Sequence, residues 1–196
     1  MDFFDIGRIL LSLLIGAIPF AVVSLWGTGI DITQVGSKNP GFNNVLRMGF
    51  KLRAGITLAG DVSKGFVALV LLSRPEDSTT ILWLLGLASV VGHCWSPFLG
   101  FKGGKGVATT LGVLFYLVPL YTGACVILYP TLRMVGRRAG WAQEGAIASL
   151  STMFAISMAV LFFQGVESGI FAFFAWVLIV IRHSANLREL LAGGKS

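Results

Sequence analysis

The chain has 196 residues, of which 55% are hydrophobic and only 12% are charged, and its mean hydropathy is +0.82. Soluble globular domains carry about 25% charged residues, so this composition excludes a disordered chain and argues strongly against a soluble protein. The formal net charge of +6 is interpreted as a topology signal rather than as evidence for nucleic acid, because basic residues mark the cytoplasmic side of membrane proteins. Apolar runs recur throughout, which predicts a single integral membrane domain over residues 1–196.

Seven hydrophobic segments predict an all-α membrane protein, a compact polytopic bundle of about seven transmembrane helices. The segments cover residues 9–26, 54–72, 80–99, 106–118, 121–133, 141–163 and 169–182. The first is interpreted as a retained anchor rather than as a cleaved signal peptide. Several are shorter than the ~20 residues of a full crossing. Residues 106–133 are compatible with one long span or with a hairpin of two short helices that turns near Pro119.

The basic residues favour the hairpin, with the N-terminus outside and the C-terminus cytoplasmic. In that topology most of the 15 Lys and Arg residues, including Lys195, fall on the cytoplasmic side. Arg8 and Arg74 lie outside, and Lys64 lies within a span. A single long span would instead place the basic run at 133–138 outside, against the positive-inside rule.

A glycine- and lysine-rich string, Phe-Lys-Gly-Gly-Lys-Gly-Val-Ala-Thr at 101–109, lies between the third and fourth segments. Glycine lets backbone N–H groups approach a ligand closely, and N–H groups at a helix start with lysines beside them bind anions, above all phosphate. The string is not a P-loop, because Leu99 stands where the first glycine belongs and Gly106 follows Lys105. The alternative is a flexible basic loop. We favour a protein that handles a phosphorylated substrate at the bilayer surface.

Other polar residues form two further groups. Residues 36–47 read Gly-Ser-Lys-Asn-Pro-Gly-Phe-Asn-Asn-Val-Leu-Arg, which is typical either of a turn that exposes backbone donors or of an ordinary interhelical loop, and it ends in the start of a short helix. His183 and Asn186 would share one side of a helix.

Three polar residues are predicted within the hydrophobic segments. Asp61 and Lys64 are spaced to form an ion pair that either fixes helix packing or supports the loops. His93 is a structural hydrogen-bonding residue or a catalyst. Cys94 and Cys125 are expected to be packing residues, and no Cys/His cluster has metal-ligand spacing, so neither a metal nor an organic cofactor is expected.

Together these segments resemble the bacterial acyl-phosphate-dependent glycerol-3-phosphate acyltransferases, the PlsY family. The resemblance rests on residues 36–47, 61–65, 92–93 with Pro97, 101–109, and 182–183 with Asn186. It implies a bundle of seven helices in the bacterial inner membrane with the active site at the cytoplasmic face.

The implied reaction transfers a fatty acyl group from acyl phosphate to the 1-hydroxyl of sn-glycerol 3-phosphate, giving lysophosphatidic acid and phosphate in phospholipid biosynthesis. The implied partners are these two substrates and membrane lipid, without nucleic acid, and a monomer is expected. The matching catalytic positions are Ser37, Arg47, Lys105, His183 and Asn186. The phosphate-binding positions are Lys102, Gly103, Gly104, Gly106, Asn39 and Asn44, and the structural supports are Asp61, Lys64 and His93.

This chemistry demands charge neutralisation, because donor and acceptor each carry a phosphate. At 4 Å each pair of unit charges repels by ~4 kcal/mol at an effective dielectric constant of 20. Arg47 and Lys105 are expected to neutralise this charge, and Ser37 to steady the carbonyl oxygen or the leaving phosphate. His183 and Asn186 are expected to hold glycerol phosphate. The base is either His183 or the donor's own phosphate.

The sequence departs from the family pattern at three places. Lys38 stands where the family has Gly, Phe42-Asn43 replaces Ala-Thr, and Gln143-Glu144 replaces Ser-Leu. Lys38 adds a cation and Glu144 an anion, so each is interpreted as offsetting the other. Another polyol phosphate as acceptor, and a relative without activity, are the alternatives within the family. Outside it, the alternatives are a transporter of anionic solutes and a structural subunit, although no internal repeat is found.

Overall fold

The computed structural model describes residues 2–192, which form helices joined by turns, with no strand in that range. This confirms the predicted all-α class. The chain divides between Leu117 and Val118 into two compact units, called unit 1 and unit 2 below. Lys195, part of the predicted cytoplasmic charge, lies outside the described residues.

Unit 1 contains six α-helices and one turn of 3₁₀ helix in its described part. They are α1 Phe3–Ala17, α2 Phe20–Ser24, α3 Phe42–Arg47, α4 Lys51–Leu72, α5 Thr79–Cys94, the 3₁₀ turn Pro97–Leu99, and α6 Val107–Leu117. Helix α1 packs against α5, and α4 packs against α1, α2, α3, α5 and α6. Helix α4 is therefore the centre of the unit.

The first predicted segment, 9–26, is not one continuous helix. Helix α1 ends before Pro19, which lacks an N–H, and Ile18 adopts φ −56° and ψ 120°, the extended conformation favoured before proline. The carbonyls released at this break find other donors. Ser96 Oγ donates to the carbonyl of Ala17 at 2.6 Å, and Lys64 Nζ donates to that of Ile18 at 2.8 Å.

Glycines allow the helices of unit 1 to pack at backbone distance. A Cβ on Gly92 of α5 would lie 2.0 Å from the carbonyl oxygen of Leu13 in α1, and one on Gly112 of α6 would lie 2.0 Å from that of Val62 in α4. Membrane helices use small residues in this way, because lipid supplies no hydrophobic drive between them and close van der Waals packing replaces it.

The helix contacts define two ends of unit 1. At one end, Arg8 of α1 donates to the carbonyl of Leu72, the last residue of α4, and to Asp77, just before α5, at 3.0 and 2.7 Å. The opposite end holds the C-terminal ends of α1 and α5 and the N-terminal end of α4. Both polar segments of unit 1, 25–50 and 95–106, therefore connect its helices at this second end, which we call the loop end.

Unit 2 contains five helices in its described part. They are α7 Pro119–Val126, α8 Leu128–Arg138, α9 Glu144–Gln164, α10 Val166–Arg182 and α11 Ser184–Leu191. Helix α9 packs against α7, α8 and α10. Tyr121 of α7 stacks on Phe163 of α9, with ring centroids 5.6 Å apart. Trp176 Nε1 of α10 donates to the carbonyl of Leu150 in α9 at 3.0 Å.

Fewer helices reach membrane-spanning length than the sequence predicts. Within residues 2–192, four stretches are long and apolar enough, namely Phe3–Ser24, Lys51–Leu72, Thr79–Leu99 and Glu144–Gln164, and a fifth arises if the bent pair α10 and α11 is counted. Helix α6 has only 11 residues. The break expected near Pro119 is confirmed, because one helix ends at Leu117 and the next begins at Pro119. The count of about seven spans and the hairpin remain predictions.

Candidate active site

The loop at 32–44 is organised by one buried amide. Asn44, only 1% exposed, donates through Nδ2 to the carbonyls of Ile32 and Val35 and accepts the Ser37 N–H at 3.0 Å. Gly36 has φ +59°, and a Cβ there would lie 2.3 Å from Asn44 Oδ1. The structure thus gives the Asn44 side chain a role in shaping the loop that presents Ser37.

Lys38 adopts a left-handed conformation, with φ 57°. Residues with a Cβ rarely occupy this region, whereas glycine enters it at little cost. This explains physically why the PlsY pattern has glycine at the position, and it identifies Lys38 as a strained substitution. The Lys38 side chain is exposed.

The short helix expected before Arg47 is present as α3. It is anchored by Val45, which is buried in an apolar cluster with Ala21, Ile32 and Ala54. Arg47 lies in the last turn of α3 and is exposed. Among the other predicted residues of this loop, Ser37 is exposed and Asn39 is half-buried.

The glycine string lies against the end of α5. Gly104 N–H donates to the carbonyl of His93 at 3.1 Å. A Cβ on Gly103 would lie 2.0 Å from the carbonyl oxygen of His93, and one on Gly104 would lie 2.2 Å from its Nε2. Both glycines are buried, while Lys102 is exposed and Lys105 is half-buried. Absence of a side chain is therefore a steric requirement at both positions.

Helix α6 begins immediately after this string. Gly106 has φ +86°, and its carbonyl accepts the N–H of Thr110 at 2.8 Å as the first helical bond. Lys105 thus directly precedes the N-terminus of a helix, where the macrodipole favours an anion.

Beneath the glycine string lies a buried ionic group, Asp61, Lys64 and His93. Asp61 Oδ1 is 2.9 Å from Lys64 Nζ and 3.5 Å from His93 Nδ1. Each of the three is less than 7% exposed. Lys64 Nζ also lies 5.9 Å from the centroid of the Phe20 ring, and Gly65 packs against the backbone of Thr109 in α6. The three predicted supports are thus brought together, and His93 joins them to the string.

Unit 1 therefore carries most of the predicted residues at one end. Both loops lie at the loop end. The first carries Ser37 and Arg47, and the second carries Lys105. The buried ionic group lies under the second loop.

In unit 2, His183 stands at a bend and not within a continuous helix as the sequence suggests. Helix α10 ends at Arg182, α11 begins at Ser184, and the two axes are bent by 62°. His183 is buried, with Nδ1 at 2.8 Å from the carbonyl of Ile179. A carbonyl only accepts, so Nδ1 carries the proton, and in the neutral ring Nε2 is the acceptor.

Asn186 lies in the first turn of α11, and its Nδ2 donates to Gln143 Oε1 at 2.6 Å. The partner, Gln143, stands just before α9 and belongs to one of the departures from the family pattern. Sequence reasoning did not assign Gln143 to the site. The departure from the family pattern at Gln143-Glu144 was the feature of the sequence that could have pointed to Gln143. Only the fold shows that Gln143 contacts Asn186, 43 residues away.

The negative charge of Glu144 is neutralised by arginines of unit 2. Its Oε1 lies 3.6 Å from Arg133 Nε and 3.4 Å from Arg137 Nε. The interpretation that Lys38 offsets this carboxylate is therefore corrected, because two arginines of α8 neutralise it. Within residues 2–192, no group of three or more His, Cys, Asp or Glu side chains is arranged to hold a metal ion.

The family model described as glycerol-3-phosphate acyltransferase matches residues 6–193. The chain belongs to the glycerol-3-phosphate acyltransferase family. A glycerol-3-phosphate acyltransferase from Neisseria meningitidis serogroup A is 40% identical over 199 residues, covering 98% of this chain and 96% of the relative. This confirms the resemblance drawn from the motifs.

The structure is also similar to crystal structures of PlsY (YgiH), an integral membrane glycerol 3-phosphate acyltransferase. The glycerol 3-phosphate form superposes with a TM-score of 0.86 at 30% identity, covering 98% of this chain and 94% of PlsY. The lysophosphatidic acid form gives 0.84 at 30% identity and the same coverage. Together with its apolar helices, this likeness shows an integral membrane protein.

Proposed function

We propose that this protein transfers a fatty acyl group from acyl phosphate to the 1-hydroxyl of sn-glycerol 3-phosphate. The hydroxyl oxygen attacks the acyl carbonyl carbon, the bond from that carbon to the phosphate oxygen breaks, and the hydroxyl proton leaves with a base. The products are lysophosphatidic acid and inorganic phosphate, as a step of phospholipid biosynthesis. Its partners are these two substrates and membrane lipid, and it takes no nucleic acid.

One observation carries the proposal: the buried Gly103-Gly104 pair, pressed onto His93 just before the N-terminus of α6. The Gly104 N–H is bonded to His93, so we propose that the phosphate binds the first-turn N–H groups of α6, which have no helical carbonyl to donate to. The glycines before the helix let the phosphate approach this end closely. Lys105, between Gly104 and Gly106, adds a cation. The likeness to a protein crystallised in a glycerol 3-phosphate form supports a phosphorylated acceptor.

At the loop end of unit 1, the proposed roles follow from charge. Arg47 and Lys105 neutralise phosphate oxygens, because two dianions repel at contact distance. Ser37 donates to the carbonyl oxygen or to the leaving phosphate. The backbone of the Gly103–Gly104 pair and Gly106, with Lys102 and Asn39, completes the phosphate-binding set. Asn44, predicted as a member of this set, is instead assigned to holding the loop that presents Ser37, because its buried amide is bonded to Ile32, Val35 and Ser37. Acyl phosphate has a good leaving group, so positioning and charge neutralisation suffice without a metal or organic cofactor.

Asp61, Lys64 and His93 have a supporting role. They form a buried ionic group beneath the glycine string, and the ring and carbonyl of His93 contact the two glycines. Buried ion pairs with good geometry resist displacement, because separating them leaves an uncompensated charge. This rigidity supports a pre-organised phosphate loop.

In unit 2, His183 and Asn186 hold glycerol 3-phosphate. The Nδ1–H bond to Ile179 directs the lone pair of neutral His183 to Nε2, which suits acceptance of a hydrogen bond from a hydroxyl. The base is either His183 or the phosphate of the donor. We place the enzyme in the bacterial inner membrane as a multi-pass monomer, with the N-terminus outside and the active site and C-terminus cytoplasmic.

The test uses purified protein in detergent or lipid with palmitoyl phosphate and glycerol 3-phosphate. Release of phosphate and formation of lysophosphatidic acid, both dependent on glycerol 3-phosphate, are expected. Transfer only to another polyol phosphate would change the acceptor. No transfer, combined with solute flux into vesicles, would replace the enzyme with a transporter.

Variants connect the reaction to the site. Lys105→Ala and Arg47→Ala are each expected to lower kcat/KM by about 100-fold or more, since each removes a charge that faces developing negative charge. His183→Ala is expected to lower the rate without abolishing acyl-phosphate binding. Arg74→Ala, an exposed arginine at the opposite end of unit 1, is the matched control and should retain full activity. Full activity of both Lys105→Ala and Arg47→Ala would refute the anion-site argument.

A further inference from the structure

Gln143 is held in an unfavourable backbone conformation. Its φ of 58° and ψ of 33° place it in the left-handed region, where a residue with a Cβ pays a steric cost. Its carbonyl begins α9 by accepting the N–H groups of Ala146 and Ile147 at 2.9 and 3.1 Å. Such strain persists only where the surroundings enforce it, and it concentrates at functional sites.

The residues on both sides of Gln143 enforce this conformation. Trp141 N–H donates to the carbonyl of Gly136 at 2.8 Å. On the other side, the Glu144 carboxylate is held by Arg133 and Arg137 at 3.6 and 3.4 Å. Gln143 is thereby fixed between two anchored neighbours, and its side chain has a defined direction.

That side chain accepts a hydrogen bond from Asn186. The distance from Asn186 Nδ2 to Gln143 Oε1 is 2.6 Å, and the bond connects the start of α9 with the first turn of α11. The two ends of a carboxamide differ chemically, since one accepts and the other donates. A fixed acceptor at Nδ2 therefore determines where Asn186 Oδ1 and its second N–H lie.

We propose that Gln143 is a positioning residue that orients Asn186 toward glycerol 3-phosphate. This inference rests on the proposed function, in which Asn186 contacts the acceptor. Without Gln143, the Asn186 amide loses the acceptor that fixes its Nδ2, and its orientation toward the substrate is held less firmly. Binding of the acceptor then weakens, while binding of acyl phosphate does not change.

Two substitutions separate positioning from strain. Gln143→Met retains the length and the strained backbone but removes the acceptor, and Gln143→Gly removes both the acceptor and the strain. Each is expected to raise KM for glycerol 3-phosphate by about three- to tenfold, the value of one hydrogen bond, with KM for palmitoyl phosphate unchanged. A purely structural role instead makes Gln143→Gly at least as active as wild type, because its backbone is relieved.

The double variant provides the decisive comparison. If Gln143 acts through Asn186, Gln143→Met has no further effect on KM in an Asn186→Ala background. An equal effect in both backgrounds, or an unchanged KM for glycerol 3-phosphate in both single variants, would overturn the role of Gln143 and leave the proposed function standing. Wild-type protein that transfers no acyl group to glycerol 3-phosphate would overturn both.

Discussion

The described part of unit 1 contains two buried ionic groups, each with acidic and basic side chains, in different surroundings. At one end, Arg8 is paired with Asp5 and with Asp77, the latter through bonds of 2.7 and 2.8 Å. Toward the loop end, Asp61 is paired with Lys64 and lies near His93. The first group joins the ends of α1, α4 and α5, whereas the second contacts the glycine string through His93.

The comparison shows that burial and pairing do not by themselves identify a functional site. Both groups are nearly excluded from solvent, and either would attract attention as a buried cluster of charges. The difference lies in what packs against them. Of the two, only the second group packs against backbone from which side chains are sterically excluded, and this backbone belongs to the string at which we propose the phosphate site.

The largest effect is expected where the glycine string meets the second group. Gly104→Ala would place a Cβ 2.2 Å from His93 Nε2, so the string must shift. Because a displacement of about 1 Å costs on the order of 100-fold in rate, kcat/KM with palmitoyl phosphate and glycerol 3-phosphate should fall by that factor. Gly55→Ala, where a Cβ meets nothing within 4 Å, is the matched control. Equal activity of the two variants would show that the contact with His93 is unimportant.

The next largest effect is on stability, and it concerns the buried ionic group of Asp61, Lys64 and His93. Asp61→Asn leaves the Lys64 charge buried without a counter-charge, and loss of one partner of a buried pair costs about 3–5 kcal/mol. Unfolding in detergent measures this loss. Combining Asp61→Asn with Lys64→Gln should recover part of the stability but not the activity, because His93 still lacks its anionic neighbour. Recovery of both would reduce the group to a purely structural element.

The first group should affect stability alone. Asp77→Asn removes the charge that faces Arg8 and is expected to cost about 1–2 kcal/mol, while kcat/KM per folded molecule stays at the wild-type value. A lowered kcat/KM with unchanged stability would contradict the contrast between the two groups.

A pH dependence follows from the same pair. The hydrogen bond from Arg8 holds the pKa of Asp77 below its ordinary value. The stabilisation is therefore fully present above about pH 4, the ordinary range of an aspartate, and is lost as pH falls through the lowered pKa. Unfolding measured from pH 7 to pH 3 should show this loss in wild type and a smaller one in Asp77→Asn.

The smallest effect lies at Lys38, which belongs to neither group. Lys38→Gly relieves the left-handed backbone and is expected to stabilise the protein by about 0.5 kcal/mol, after the greater freedom of glycine in the unfolded chain is subtracted. Lys38→Ala keeps the strain and removes the charge, which makes it the matched control. If both variants change KM for palmitoyl phosphate equally, the Lys38 charge assists the anion site.

Much of the site was predictable because its chemistry is local. The string at 101–109 concentrates glycine and lysine before a helix, and α3 begins close to where its residues indicate. Asp61 and Lys64, three positions apart on one helix, had to be neighbours whatever the fold. The third support, His93, was grouped with them through the family resemblance alone, because its distance to Asp61 depends on how α5 packs against α4.

The sequence by itself determined the all-α class, the apolar helices, the two polar segments and the family, since each depends on residue type and on spacing along one stretch of chain. Tertiary structure decided how the carbonyls freed before Pro19 are satisfied by Ser96 and Lys64. It also decided that Asn186 binds Gln143. These bonds join residues more than 40 positions apart, so their geometry exists only once the helices that carry them have packed against one another.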